Sequence, residues 1–531
     1  MKSRHRGVSA RAPSTTPAPA HPAALALHRA DLLILGWSLS VPIILFAVFY
    51  GYGFDDPYIT YRYAANLAAG QGFVYNPGER VLSTTAPLYA LLLAPFAALG
   101  LDVPLISNLI GCVSLGAGAV ALWRLGRLAG MPVAGGAAAT LYPLSPYLAL
   151  TLGAETTFFM ALTLWAFVAL AAGRPAVVGL LLAIATLTRA DAALATVVGG
   201  VALLLREPPW KGSPSPSNEA PTPTGREEKV PRAPARGPVS GNISPLLRFG
   251  GAYVLIVLPF LGAAWIYFGS PLPATLGVKR SQARIPGSRS YLTGLGQQLA
   301  GLAQRPLFWP LLGLAPPGLV TGLRRRGPLL LPLAWGGLHI LAYSLLGVTA
   351  YFWYYGPAAL ALITAAALGA ETLAAWLRPG RGAWAGAVFV AILVSLVLAA
   401  QVLALARMAN HPDPRLPLYR AAGQWLAVNT APDARVGALE VGIIGYYSGR
   451  PIVDFAGLIQ PDVARVFEAG GSYDAAARQA IAAHKPEYLV SQEAAVPLIG
   501  TDPELAARCV KVAEFPDPRY PSPLTIYRCA W

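Results

Sequence analysis

Residues 31–56 read DLLILGWSLSVPIILFAVFYGYGFDD. Residues 31–50 are apolar enough to cross a bilayer, whose hydrocarbon core takes about 20 helical residues. The run then gives way at once to Gly53-Phe54-Asp55-Asp56-Pro57-Tyr58. Two adjacent carboxylates at a membrane face are costly to desolvate. Their presence predicts a wet surface on which they act.

The apolar character recurs along the chain. Of its 531 residues, 55% are hydrophobic and 12% charged, with a mean hydropathy of +0.51. A soluble domain carries about a quarter charged residues. The chain therefore reads as a polytopic α-helical membrane protein. Apolar runs predict about 11 spans, near 31–51, 103–123, 131–150, 157–173, 175–189, 192–205, 246–268, 306–322, 328–347, 352–371 and 382–406. A further run at 85–100 (TAPLYALLLAPFAALG) reads as an interfacial helix within the first outer loop, 52–102.

Charge placement supports that parity. The net charge of +15 sits in short loops and tails, without the aromatic–basic pattern of a nucleic-acid binder. With the N-terminus in the cytoplasm, Arg124, Arg127, Arg174, the 206–248 stretch, Arg324–Arg326, Arg378 and Arg381 all fall inside, as the positive-inside rule expects. Counting 85–100 as a span would turn these loops outward. Asp55, Asp56, Glu155, Arg189, Asp191, the basic loop 270–305 and the C-terminus then face outside.

Composition divides the chain further. Residues 1–30 read as a disordered basic cytoplasmic tail, and the absence of a small-residue cleavage site keeps 31–50 as a retained span. Residues 31–409 form the membrane domain, interrupted by a Pro/Ser/Gly-rich cytoplasmic linker at 206–245. Residues 410–531 mix helical patterns (LYRAAGQWLAVNT, AAARQAIAAH) with strand patterns (ARVGALE, PIVDF, EYLVS) and predict an extracytoplasmic α/β domain. Cys112 reads as packing within a span. Cys509 and Cys529 bracket two strand-like runs, which leaves a disulfide across that hairpin open if the domain is extracytoplasmic. No internal repeat is visible, and many transporters have one.

The first outer loop carries three spaced elements: Asp55-Asp56-Pro57-Tyr58-Ile59-Thr60-Tyr61-Arg62-Tyr63, then Gly70-Gln71-Gly72 leading to Asn76, then Thr85-Ala86-Pro87-Leu88-Tyr89. Together they resemble the first periplasmic loop of GT-C glycosyltransferases, and most of all the branch that includes the mycobacterial terminal arabinofuranosyltransferases. Gly153-Ala154-Glu155-Thr156, Thr188-Arg189-Ala190-Asp191, Tyr354-Tyr355-Gly356-Pro357 and the run from Gly442 to Pro451, with Asp454 and Gly457-Leu458, resemble later segments of the family. Thr157 and Ala190 stand where the family pattern has proline.

The resemblance implies a GT-C fold and transfer of a sugar from a polyprenyl phosphate to a cell-envelope glycan, lipid or protein outside the cytoplasmic membrane. It carries Asp55 or Asp56 over as the catalytic base. Such a carboxylate could also hold a divalent cation (Mg, Mn or Ca) through its oxygens. The basic loop bears on the leaving group independently. Lys279, Arg280 and Arg284 suit a departing phosphate, with Arg189 as a helper, while Arg289 and Arg305 read as headgroup contacts. Arg62, Glu155, Asp191 and Tyr354 are candidates for the acceptor or substrate pocket, and His339 reads as a buried span residue. The rival readings are a transporter or flippase of lipid-linked sugars, whose charges should line a mid-membrane path, and an inactive envelope scaffold of the same fold.

Overall fold

A computed structural model of the protein describes residues 29–205, 244–285, 287–377 and 383–531. The tail expected at 1–30 and the linker expected at 206–245 fall outside the described residues, except where their last residues enter helices. In chain order the helices are α1 (Arg29–Val48), α2 (Asp55–Ala68), α3 (Pro87–Ala98), α4 (Val103–Leu128), α5 (Pro132–Leu141), α6 (Pro146–Ala149), α7 (Thr156–Ala171), α8 (Pro175–Thr188), α9 (Ala192–Leu204), α10 (Ser244–Phe268), α11 (Thr275–Gln282), α12 (Tyr291–Ala303), α13 (Trp309–Arg325), α14 (Leu330–Leu346), α15 (Gly356–Trp376) and α16 (Ala383–Asn410). The C-terminal unit follows with α17 (Arg415–Asn429), β1 (Val436–Ala438), α18 (Gly442–Ser448), β2 (Ile452–Asp454), α19 (Pro461–Glu468), α20 (Tyr473–His484), β3 (Tyr488–Ser491), α21 (Pro503–Arg508), β4 (Cys509–Phe515) and β5 (Leu524–Cys529). Proline opens α3, α5, α6, α8, α19 and α21. Its fixed φ suits the first helical position, and its missing N–H is not needed there.

The segments containing α1, α4, α10, α13, α15 and α16 are long and apolar enough to cross a membrane. The apolar α3, α5, α7, α8, α9 and α14 are shorter. The protein is therefore an integral membrane protein. The run at 85–100 is indeed a helix, α3. One expected span is corrected: 131–150 is not continuous. It is the ten-residue α5 followed by the single turn α6. Pro143 and Pro146 lie at the break, and proline disfavours helix at the residue before it.

Small residues bring these helices together. A Cβ on Gly318 of α13 would strike the Ala365 carbonyl of α15, and one on Gly369 would strike the Leu314 carbonyl. Gly116 and Gly179 meet the backbones of α1 and α10 in the same way. In a lipid environment such close approach, rather than hydrophobic burial, drives association. Two polar contacts fix registers. Glu371 of α15 accepts from the backbone N–H of Ala134 at 3.0 Å, and Asp31 accepts from Trp123 Nε1 at 2.8 Å and Arg127 Nη1 at 3.1 Å.

The C-terminal unit holds a five-stranded sheet in the order β2-β1-β3-β5-β4. β1 pairs in parallel with β2 and β3, while β5 runs antiparallel to β3 and β4. Cys509 and Cys529 face each other across the β4–β5 hairpin and are joined by a disulfide. Residues of α2, α3 and the segment between them share one hydrophobic core with this unit, including Tyr58, Tyr75 and Tyr89 beside Ile443, Ile444 and Phe455.

Gly369→Val is expected to force α13 and α15 apart. The resulting overpacking costs about 1–3 kcal/mol and should lower the midpoint of thermal unfolding in detergent. An exposed control such as Gly337→Ala, whose Cβ meets nothing within 4 Å and which only improves helix propensity, should not lower it.

Candidate active site

α2 starts on its two carboxylates, with Phe54 extended before it and no side-chain cap. Neighbours on a helix point about 100° apart, so Asp55 and Asp56 enter different surroundings. Asp55 turns to the C-terminal unit, where its Oδ2 accepts from Gly442 N–H at 2.8 Å and its Oδ1 from Ile443 N–H at 2.7 Å. Burial pushes its pKa up to about 6, against the opposing pull of those two amides. Gly442 must be glycine, because a Cβ would strike the Asp55 backbone carbonyl. Half-buried Glu440 lies close by. Burial, and next the Asp55 carboxylate, push its pKa up to about 8.

Asp56 faces a cavity of about 150 Å³. Its Oδ2 lies 2.7 Å from Lys279 Nζ of α11, with side-chain exposures of 33% and 9%. The ammonium also sits 4.4 Å from the Tyr351 ring centre and 5.0 Å from that of Trp353. Burial opposes its charge, but the Asp56 carboxylate and Tyr351 outweigh that, and the net shift raises the Lys279 pKa. On another wall Arg189, at the C-terminal end of α8, donates Nη1 to Glu155 at 2.6 Å and Nε to Asp191 at 2.8 Å. Its guanidinium lies 5.5 Å from the Tyr354 ring centre. Thr156 and Thr275 also line this cavity, but their hydroxyls are themselves buried and have no hydrogen-bond partner among the described residues.

Of the residues singled out from sequence, Asp56, Glu155, Arg189, Asp191, Lys279 and Tyr354 line this one cavity. Asp55 stands behind it. Three depart from their expected places. Arg62 is buried away from the cavity and donates to the carbonyls of Tyr75 (2.8 Å), Arg450 (2.7 Å) and Gly445. It fastens α2 to the C-terminal unit and does not contact a substrate pocket. Arg280 and Arg284 are exposed and off the cavity wall. Arg280 follows Lys279 on the same helix and so diverges from it, and Arg284 lies beyond the end of α11. His339 is fully buried, with Nε2 3.6 Å from Asp191 Oδ2, too far for a hydrogen bond. Thr156, Thr275 and Phe54 line the cavity without being named as site residues from sequence, because a threonine or a lone phenylalanine carries no distinguishing signal in an apolar chain.

A divalent cation does not fit here. Among the described residues no group of three His, Cys, Asp or Glu side chains converges as a metal site. The two carboxylates proposed for it are already engaged, Asp55 by backbone amides and Asp56 by an ammonium. Such neighbours compete with a cation for the oxygens.

The profile of a family described as "Domain of unknown function (DUF8728)" matches residues 409–527. No curated protein matches the sequence. Among solved structures, ArnT from Cupriavidus metallidurans bound to undecaprenyl phosphate is similar, with a TM-score of 0.59 and 13% identity over 94% of this chain and 98% of that one. The apo form of that ArnT gives 0.57 and 12% over 93% and 97%. The Archaeoglobus fulgidus oligosaccharyltransferase in its apo form gives 0.55 and 13% over 87% of this chain and 69% of that one. At such identities the likeness shows the fold, which is that of a GT-C-type membrane protein with a C-terminal α/β domain.

The Asp55 contact makes a pH prediction. An aspartate raised from 3.8 to about 6 on folding takes up its proton in the folded state first. It therefore adds stability as pH falls from about 6 toward 4 and withdraws it as pH rises through that window. Thermal midpoints across pH 4–7 should show a steeper acid-side gain in wild type than in Asp55→Asn. An identical slope in the two proteins would mean that Asp55 titrates normally.

Proposed function

We propose that the protein is a membrane glycosyltransferase that moves one sugar from a polyprenyl-phosphate donor to an acceptor hydroxyl on the outer face of the cytoplasmic membrane. The observation that carries this reading is the Asp56–Lys279 pair in a cavity that also holds Arg189. A base and two cations around one small space suit attack by a hydroxyl with departure of a phosphate.

Asp56 takes the proton of the acceptor hydroxyl as its oxygen bonds to the anomeric carbon. The bond from that carbon to the phosphate oxygen breaks, and its electron pair stays on the polyprenyl phosphate. Lys279 and Arg189 stabilise that charge. Glu155 and Asp191 hold the guanidinium in place. Asp55 and Arg62 are positioning residues. One displacement inverts the anomeric configuration, and a product of retained configuration would overturn this order of steps.

The lipid part of the donor has a counterpart. An apolar groove of about 460 Å³, with Leu299, Leu312, Leu319 and Leu362 in its wall, runs between α12, α13, α14 and α15. Tyr343, Tyr354 and Tyr355 pack between it and the polar cavity. ArnT was solved with undecaprenyl phosphate, which supports a ligand of that class. The first-loop motifs favour a pentofuranose such as arabinofuranose, and a hexose is the alternative. The transporter reading is less well supported, because the charged residues collect at helix ends around one cavity.

The test is transfer of radiolabelled sugar from a panel of polyprenyl-phosphate pentoses and hexoses by purified protein in membranes. Asp56→Asn should lose about 10²–10⁴-fold in kcat, the range of a general base. Lys279→Ala should lose about 10²–10³-fold, as for removal of one charge-stabilising donor. Asp55→Asn should lose less than Asp56→Asn. No turnover of any donor, or turnover indifferent to Asp56 and Lys279, would rule the reading out.

A further inference from the structure

A second polar cleft, of about 730 Å³, opens where α16 hands over to the C-terminal unit. Its volume falls within the roughly 300–1,000 Å³ of small-ligand pockets. Its walls combine the rings of Tyr52, Phe54, Phe352 and Tyr520 with the charged heads of Asp413, Arg415 and Arg519. Phe54 lines this cleft and the catalytic cavity alike. Only 7% of it is exposed, and its ring stacks on Trp353 at 5.5 Å and meets Phe352 edge-on at 5.0 Å. It is also the residue immediately before Asp55-Asp56. Phe54 is thus a wall residue of both spaces, on the backbone that delivers the base.

Each arginine of the cleft wall has a carboxylate partner. Arg415 contacts Asp413 at 2.6 Å and Glu440 at 3.6 Å, and Arg519 contacts Asp517, just outside the wall, at 2.6 Å. Among the described wall residues no arginine is left unpaired to select a phosphate or a polyanion. What the cleft offers is aromatic faces beside planar, partly exposed guanidinium and carboxylate groups. Sugar rings have apolar C–H faces that lie on aromatic rings, and their vicinal hydroxyls donate to carboxylates and accept from guanidinium groups. The leucine-lined groove on the other side of the catalytic cavity has two tyrosine rings, Tyr147 and Tyr355, but no charged group among its described wall residues.

We propose that this cleft is the acceptor subsite, that it binds an uncharged oligosaccharide, and that Phe54 is the partition past which the acceptor's terminal hydroxyl reaches Asp56. The proposal rests on the glycosyltransferase reading and assigns its acceptor class. The bond changes are those given above: the hydroxyl proton passes to Asp56, the oxygen bonds to the anomeric carbon, and the polyprenyl phosphate leaves with its electron pair.

The test uses the full-length protein in nanodiscs, with octyl oligomannosides and octyl oligoarabinofuranosides as probes. Binding of each probe is measured calorimetrically without donor, and donor turnover is split into hydrolysis by water and transfer to the probe. Wild type is compared with Tyr520→Ala and with Leu150→Trp, which fills the cleft, after both pass a thermal-melt check. The expected result is at least a tenfold weakening of probe binding and a similar rise in acceptor KM in both variants, with donor hydrolysis within twofold of wild type. Hydrolysis and transfer falling together would make these residues part of the general scaffold and overturn the proposal. So would probe binding that neither variant disturbs, or a wild type that hydrolyses donor but binds no uncharged oligosaccharide. Absence of any donor turnover alongside Tyr520-dependent probe binding would instead refute the transferase reading and leave the cleft as a glycan site.

Discussion

Two neighbouring carboxylates cannot be buried together without separate partners, and the arrangement of this protein follows from how each finds one. Desolvating an ionised aspartate costs several kcal/mol unless hydrogen bonds or a counter-charge replace the lost water. Asp55 is met by two backbone amides of α18, and Asp56 by the ammonium of Lys279. The partners come from distant parts of the chain, one from the C-terminal unit and one from α11. Satisfying the pair therefore requires that the membrane bundle, the basic loop and the C-terminal unit all be in place. Gly442 is the sharpest consequence, since any side chain there would collide with the backbone that carries the pair.

The same logic explains why the C-terminal unit is not a loosely tethered appendage. Arg62 donates to two carbonyls across the interface, those of Gly445 and Arg450, and to that of Tyr75 in its own loop. Asn76 donates to the Ile452 carbonyl and accepts from its N–H, both at 2.9 Å, and Tyr75 donates its hydroxyl to the Val441 carbonyl at 2.6 Å. Each contact satisfies groups that would be buried and unpaired if the units separated. The first-loop motif thus serves two ends: its acids face the site, and its Arg, Tyr and Asn hold the neighbouring unit.

This division marks what could be read from sequence. The apolar runs located the helices because a bilayer imposes length and hydropathy on each one separately. They failed at 131–150, where prolines interrupt a run whose hydropathy alone looks continuous. Asp56, Glu155, Arg189, Asp191, Lys279 and Tyr354 could be named because ionisable and aromatic groups at span ends need a reason to be there. Their convergence could not be read, since Lys279 and Asp56 are 223 positions apart and no local pattern encodes that contact. For Arg62 the chemistry of the residue was visible but the direction of its side chain was not. An arginine that grips a phosphate and one that caps three carbonyls look the same in a sequence.

The Asp56–Lys279 pair also bears on timing in the proposed reaction. While the two are in contact, the ammonium occupies a carboxylate oxygen of Asp56 that would receive the acceptor's proton. The cavity holds three carboxylates, Asp56, Glu155 and Asp191, against two cations, Lys279 and Arg189. Both cations are engaged with those carboxylates, so neither is idle. A donor phosphate must compete for them, and Lys279, with one partner and a flexible stem, yields more readily than Arg189, which is held at two nitrogens. Drawing Lys279 toward the phosphate would free that oxygen of Asp56 for the acceptor hydroxyl. The base would then be available only once the leaving group is in place, which ties activation of the acceptor to arrival of the donor.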